Sequence, residues 1–245
     1  MRPIRALLTI NLLLLLTFTA CNSEESNHSA KIASIPEASG ISFCQNSNTL
    51  MVANDEGTLY EITPSGAIIM SKKLGDYDLE GVVCEEKRVI LAIEDGALLE
   101  VDRKTLESKK IKIKGMNFKF SKKSGIEGIT RIKKKYYLSI QAKRERDAKL
   151  LVVKLGENYA KIVEIIDHGI IDSAGMVYHN KKLYIVSDKK DKLYLYNLKQ
   201  KKIKKRFKLE KFAQEGVAFD NDDNIYIADD NGAVMRYTKE ELRIK

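Results

Sequence analysis

The sequence predicts an all-β fold, a five-bladed β-propeller of four-stranded antiparallel blades. Three observations carry this expectation. A short motif centred on glycine recurs at Gly40, Gly81, Gly128, Gly175 and Gly216, at spacings of 41, 47, 47 and 41 residues. Each glycine opens a short apolar segment, and a second apolar segment follows it into a polar turn. The remainder of each unit holds two more alternating segments, so four short strands fit in about 40 to 47 residues, the period of a propeller blade. A β-sandwich does not explain five nearly equal periods, and the sequence offers no sixth unit.

The first element precedes the repeats. Arg2 and Arg5 open the chain, residues 6–16 are leucine-rich, and Thr17-Phe18-Thr19-Ala20 sets small residues before Cys21. That is the pattern of a secretory signal over residues 1–20. Its apolar run, residues 6–20, is about 15 residues, short of the roughly 20 a spanning helix needs. The segment resembles the lipobox of bacterial lipoproteins, with Phe18 where Leu is usual. The resemblance implies acylation of Cys21, and two or three acyl chains suffice for stable anchoring in membrane lipid. Residues 21–30 are polar and aperiodic, which suits a flexible linker ahead of a domain over residues 31–245. Asn22, rather than Asp, follows the cysteine, a pattern that resembles outer-membrane routing. The expected location is therefore the cell envelope, at the outer membrane facing the periplasm or the surface.

The repeat motifs read, in order, Ala38-Ser39-Gly40-Ile41, Leu79-Glu80-Gly81-Val82, Ile126-Glu127-Gly128-Ile129, Ser173-Ala174-Gly175-Met176 and Gln214-Glu215-Gly216-Val217. Second strands are expected over 50–53, 89–93, 136–140, 183–186 and 225–228. Polar turns follow at 54–57, 94–96, 141–149, 187–192 and 229–232. Third strands alternate, as in Leu59-Tyr60-Glu61-Ile62 and Leu193-Tyr194-Leu195-Tyr196. The last unit runs out near Tyr237, so residues 31–35 are expected to complete the last blade and close the ring, which removes exposed edges.

Composition limits the partners. Over 245 residues, 44% hydrophobic content excludes a disordered tail, and 14 Gly with 3 Pro excludes a collagen-like fibre. The net charge of +9 falls to +7 once Arg2 and Arg5 are removed. The excess lies in lysine-rich stretches at 108–114, 133–135 and 199–211. In the first, Lys alternates with Ile, the period of a half-exposed edge strand whose charges discourage further pairing. Such patches also attract anionic headgroups or glycans. Nucleic acid is not an expected partner of an exported chain with few aromatics among its lysines.

Site candidates come from the repeat itself. The residue before each glycine is Ser39, Glu80, Glu127, Ala174 or Glu215, and ring symmetry brings these together at the central channel. Converging carboxylates raise one another's pKa or recruit a cation, and Ca2+ wants six to eight oxygens at about 2.3 to 2.6 Å. Glu80, Glu127 and Glu215 are the candidate metal ligands. Ser39, Asp55, Glu94, Gln141, Asp188 and Asp229 are candidate ligand-binding groups if their turns open on the same face. The competing reading has each Glu bonding backbone N–H groups of the neighbouring blade, with glycine supplying a conformation other residues avoid. Cys44 and Cys84 lie four and three residues after their glycines, so alternation points them to opposite faces, and buried free thiols are expected rather than a disulfide. His28, His168 and His179 are too scattered for zinc. The tyrosines in strands are expected to pack between blades.

The motifs Asp78-Leu79-Glu80-Gly81-Val82, Asp172-Ser173-Ala174-Gly175-Met176 and Gln214-Glu215-Gly216-Val217-Ala218-Phe219-Asp220, with Ile185-Val186-Ser187-Asp188 and Asn224-Ile225-Tyr226-Ile227, resemble the SdiA-regulated (YjiK-like) propeller family. The resemblance covers about residues 31–238. Ala174 stands where the family tends to have Ser, and Asp229-Asp230-Asn231-Gly232 where it tends to have Ser-Glu-Pro. It implies an exported five-bladed propeller and brings no established activity. The expected function is therefore a lipid-anchored module binding a small ligand, a glycan or an envelope protein, with Ca2+ in the channel. The alternative draws on a resemblance to phytase-like and lactonase-like propellers: a metal-dependent hydrolase using the same acids.

Overall fold

The structure is a computed structural model and describes residues 30–121 and 124–244. The signal, Cys21, nearly all of the linker and His28 lie outside the described residues. Strand β1 (Lys31–Ala33) comes first, and the rest fall into successive antiparallel meanders. Unit one is β2 (Ala38–Cys44), β3 (Thr49–Asn54), β4 (Thr58–Ile62) and β5 (Ile68–Lys73). Unit two is β6 (Leu79–Cys84), β7 (Arg88–Ile93), β8 (Ala97–Asp102) and β9 (Ser108–Lys114). Unit three is β10 (Ile126–Ile132), β11 (Lys135–Ile140), β12 (Lys149–Leu155) and β13 (Tyr159–Asp167). Unit four is β14 (Ser173–His179), β15 (Lys182–Ser187), β16 (Lys192–Asn197) and β17 (Lys202–Lys208). The last unit is β18 (Gln214–Phe219), β19 (Ile225–Asp229) and β20 (Ala233–Tyr237), and β1 pairs with β20 as its fourth strand. The first strands touch one another in the order β2, β6, β10, β14, β18 and back to β2. This is β-propeller architecture, closed by the N-terminal strand.

Strand alternation explains where the core sits. In β3, Leu50 and Val52 face one way and pack with Ala218 and Tyr226 of the last unit. Met51 and Ala53 face the other way and pack with Leu79 and Leu91 of unit two. The same division yields clusters between units two and three, three and four, and four and the last. Each sheet is apolar on both faces because each has a neighbour on both faces. The buried tyrosines 136, 184, 194, 196, 226 and 237 fall in these clusters.

That arrangement corrects the expectation for the cysteines. Cys44 and Cys84 form a disulfide, with Cα atoms 5.3 Å apart. Alternation does send them to opposite faces of their own sheets, but adjacent units meet through opposite faces, so the same parity brings them together. The lysine-rich edge is corrected in part. β9 is exposed apart from Ile111 and half-buried Ile113, yet its last residues pair in parallel with β13, Lys112 to Lys114 against Tyr159 to Lys161. Units two and three thus share one eight-stranded sheet.

Candidate functional site: an acidic channel mouth

The ring glycines set the geometry. None of Gly40, Gly81, Gly128, Gly175 and Gly216 has positive φ, so conformational freedom is not their purpose. A Cβ on Gly40 would lie 2.8 Å from the Cα of Gly81, one on Gly81 3.0 Å from that of Gly128, and one on Gly175 2.6 Å from that of Gly216. The innermost strands approach backbone to backbone, which only glycine permits. At the same point each strand slips register against its neighbour, between Ala38 and Gly40, Leu79 and Gly81, Ile126 and Gly128, Ser173 and Met176, and Gln214 and Gly216. The extra residue of such a bulge is re-aimed away from the ladder. Ser39, Glu80, Glu127 and Glu215 occupy these positions.

A repeated backbone bond fixes the turns on the same face. The N–H of Asp55 donates to Glu37 O, that of Glu94 to Asp78 O, that of Gln141 to Gly125 O and that of Asp230 to Ala213 O, at 2.9 to 3.2 Å. Asp188 takes the corresponding place in unit four, where Lys189 N–H donates to the Asp172 carboxylate. Asp229, named with the turn residues from sequence, is not their equivalent. It pairs with Gln214, as Asn54 pairs with Ala38. It is buried and accepts from the N–H and side chain of Asn231 within its own turn. Asp230 fills the channel position instead.

The acids gather unevenly. Ligand oxygens of Asp55, Asp78 and Glu80 lie within 4.8 Å of one another. Glu127 and Glu215 stand outside that group, which differs from a set of three equivalent glutamates. Asp78 lies two residues before Glu80, just ahead of β6, and Asp55 comes from the adjoining turn of unit one. The position three residues before the ring glycine is acidic at Glu37, Asp78 and Asp172, a second acidic register that the repeat itself carries. Asp172 and Asp188 supply acid to unit four, where Ala174 has none.

Burial dominates the electrostatics. It raises the Glu80 carboxyl far above the usual range, helped by Glu127, Asp55, Asp78 and Glu215. Glu127 is raised by burial and by Glu94 and Asp172. Burial and then Glu127 push Glu215 up to about 9, and burial pushes Asp55 up to about 7 despite a bond from Ser39. Asp188 is also raised, by burial and Asp172. Ser39 donates to Leu79 O of the next unit, a bond between blades made by a serine to a carbonyl rather than by a glutamate to an N–H group. Bonding between blades does not account for Glu127 Oε1 or Asp55 Oδ1, which are buried without a hydrogen-bond partner. An all-oxygen set with orphaned acceptors fits a hard divalent cation. Beside the group opens a concavity of about 570 Å3 lined by Asp55, Glu56, Lys73, Asp76, Tyr77 and Asp78.

The opposite end of the channel differs. A cavity of about 400 Å3 there is lined by residues including Ser42, Cys44, Arg103, Arg131 and His179. Arg103 pairs with Glu61 and Arg131 with Glu85, each at 3.1 Å. His179 stacks on Phe219 and meets Asp223 at 2.5 Å. His168 is buried and neutral, its pKa held down to about 4 by burial.

The family model described as SdiA-regulated matches residues 26–232. The chain belongs to the SdiA-regulated family. No curated protein matches this SdiA-regulated chain. Among solved structures, the glutaminyl cyclase of Myxococcus xanthus superposes with a TM-score of 0.64 at 10% identity, covering 84% of this chain and 91% of that one. A streptogramin B lyase reaches a TM-score of 0.48 at 10% identity, covering 84% and 70%. At such identity the cyclase likeness concerns the β-propeller fold alone.

Proposed function

We propose that this SdiA-regulated protein is an exported, five-bladed propeller, tethered to the cell envelope through acylated Cys21, whose acidic mouth holds Ca2+ and presents it to a ligand or partner. The five inter-unit clusters and the closed circuit of first strands support five blades. The observation that carries the cation is the Asp55, Asp78 and Glu80 group with its 4.8 Å spacing, since two oxygens bound to one Ca2+ at about 2.4 Å are at most about that far apart. The adjoining concavity leaves room for a ligand to supply further oxygens. Binding is favoured over hydrolysis by the cations: Arg131 lines the opposite cavity, Arg144 is paired with Asp147, and Lys73 beside the acids is engaged by Glu56 O and Asp76.

The test is metal analysis of the purified protein with thermal melting in Ca2+ and in chelator, beside Glu80→Gln and Asp55→Asn. A hundredfold excess over Kd stabilises by about 2.7 kcal/mol, or about 5 to 11 °C in a chain of this size. One bound cation and a chelator-sensitive midpoint, both lost in the variants, is the expected result. No metal and no shift would leave the acids as structural groups. Mass spectrometry of the Cys21 peptide reads the tether separately.

A further inference from the structure

We propose that the end of the propeller away from the acidic turns docks on an anionic membrane surface, through a lysine-lined concavity of unit four that takes a phosphate-bearing lipid headgroup. The concavity is about 440 Å3 and is lined by Lys181, Lys182, Lys199 and Lys204 with Leu195 and Leu198 among its apolar residues. Three local features gather the lysines. The turn carrying Lys181 is held by left-handed backbone at Asn180 and Lys181, and it places Lys182 opposite His179 at the head of β15. The turn carrying Lys199 joins Asn197 to Lys202 and lies at the same end, because Leu183 pairs with Tyr196. Lys204 is the extra residue of a bulge, since Leu195 pairs with Lys205 and Tyr196 with Ile203, and a bulge re-aims its side chain.

These charges are uncompensated. Among the described residues none of the four has a carboxylate within 4.0 Å. The arginines of the neighbouring cavity, by contrast, are neutralised by Glu61 and Glu85. Cationic rim and apolar lining suit a phosphate head with its first methylenes, and Lys near an anionic bilayer adds attraction. Exposed Lys133 and Lys134 lie in the matching turn of unit three and extend the patch.

The entry of the chain orients this end toward the membrane. Lys31 pairs with Met235 and Ala33 with Val234, while Arg236 N–H donates to Ala30 O. Followed backwards, the chain therefore runs toward the Tyr237 end of β20, the end that carries the lysine turns. The nine residue-to-residue steps from Cys21 to Ala30 span at most ~30 Å, which keeps that end near the lipid. The acidic mouth then faces away from the membrane. The tether reading sets only this orientation, and the concavity stands without it.

The test uses the unacylated chain, residues 21–245, which retains every described strand. Co-sedimentation is measured with vesicles of phosphatidylcholine alone and with about one-third phosphatidylglycerol. One variant combines Lys181→Ala, Lys182→Ala, Lys199→Ala and Lys204→Ala. A control combines Lys189→Ala, Lys190→Ala, Lys208→Ala and Lys211→Ala, four exposed lysines toward the acidic end, with the same loss of charge. Melting of both variants checks folding. The expected result is at least about tenfold preference for the anionic vesicles, lost in the first variant and kept within about threefold in the control. Equal losses in the two variants, or no preference for anionic vesicles, would overturn the proposal. Displacement by inorganic phosphate, but not by chloride of equal ionic strength, would reassign the concavity to a free anion. Because no acyl chain is present, failure here leaves Cys21 acylation untested, and failure of acylation leaves this result standing.

Discussion

Replacing a ring glycine by alanine should damage the whole propeller, and Gly128→Ala is the sharpest case. The added Cβ would lie 2.2 Å from Ala174 O and 2.9 Å from Ser139 Oγ. An ordinary contact begins near 3.4 Å, so the inner strands of units three and four must separate by about 1 Å or distort. Overpacking of this kind costs about 1–3 kcal/mol. Ala174 O also accepts a hydrogen bond from Ser139 Oγ at 2.8 Å, and weakening it adds about 1 kcal/mol. The relief of glycine's entropy returns about 0.5–1 kcal/mol. The net loss of about 1–3.5 kcal/mol corresponds to about 2–14 °C in melting temperature for a domain of this size. Thermal unfolding followed by circular dichroism reads it directly. Gly156→Ala, whose Cβ meets only Tyr159 O at 3.0 Å, is the control and should shift far less. If Gly128→Ala and Gly175→Ala both melt with the parent protein, the backbone-to-backbone ring is wrong.

Four further outcomes follow from the site and the joints. Glu215 is neutral when folded until about pH 9 against an ordinary 4.5. The stability this acid contributes is thus complete below about pH 4.5 and is lost as pH rises to about 9. In chelator the melting temperature should fall between about pH 7.5 and 9, and Glu215→Gln should flatten that fall; an unchanged slope would count against a buried acid. Ca2+ uptake should release protons, because carboxylates must ionise to ligate, and calorimetry in buffers of different ionisation enthalpy measures the number. Reduction of the Cys44–Cys84 bond, which closes a 40-residue separation, should cost up to about 4 kcal/mol and lower the midpoint by about 8–16 °C. Asp230→Asn should weaken the cation, while Asp229→Ala, which removes the acceptor for Asn231, destabilises its turn by about 1 kcal/mol and leaves the cation in place; equal effects on the cation would erase the distinction between them.

The architecture was legible because glycine spacing and strand alternation are local signals that a closed ring multiplies. The acidic mouth is legible only in part: Glu80 and Asp55 follow from position in the repeat, whereas Glu127 and Glu215 fall outside the group that Glu80 forms with Asp55 and Asp78. What escaped depended on how units face each other. The parity of Cys44 and Cys84 follows from strand alternation, yet it leads to a disulfide only once opposite faces of adjacent sheets meet. Asp230 was missed for Asp229 because pairing of Gln214 with Asp229 shifts the turn by one residue. Asp78 was overlooked because its contribution comes from proximity to Asp55 across a joint. The glycines, too, serve close approach between chains distant in sequence, a purpose no single repeat reveals.

The joints between units are not alike. Units one and two share a covalent bond, two and three share a strand ladder, and the last unit borrows β1 from the segment leading into unit one. Among the described residues, unit four is joined on both sides without a disulfide or a shared ladder, through side-chain clusters and scattered hydrogen bonds. Sub-global opening follows the weakest cooperative boundary, so unit four is the module that breathes. Backbone amides of β15 and β16 should exchange with solvent before those of β7 and β8, although both pairs are central in their sheets.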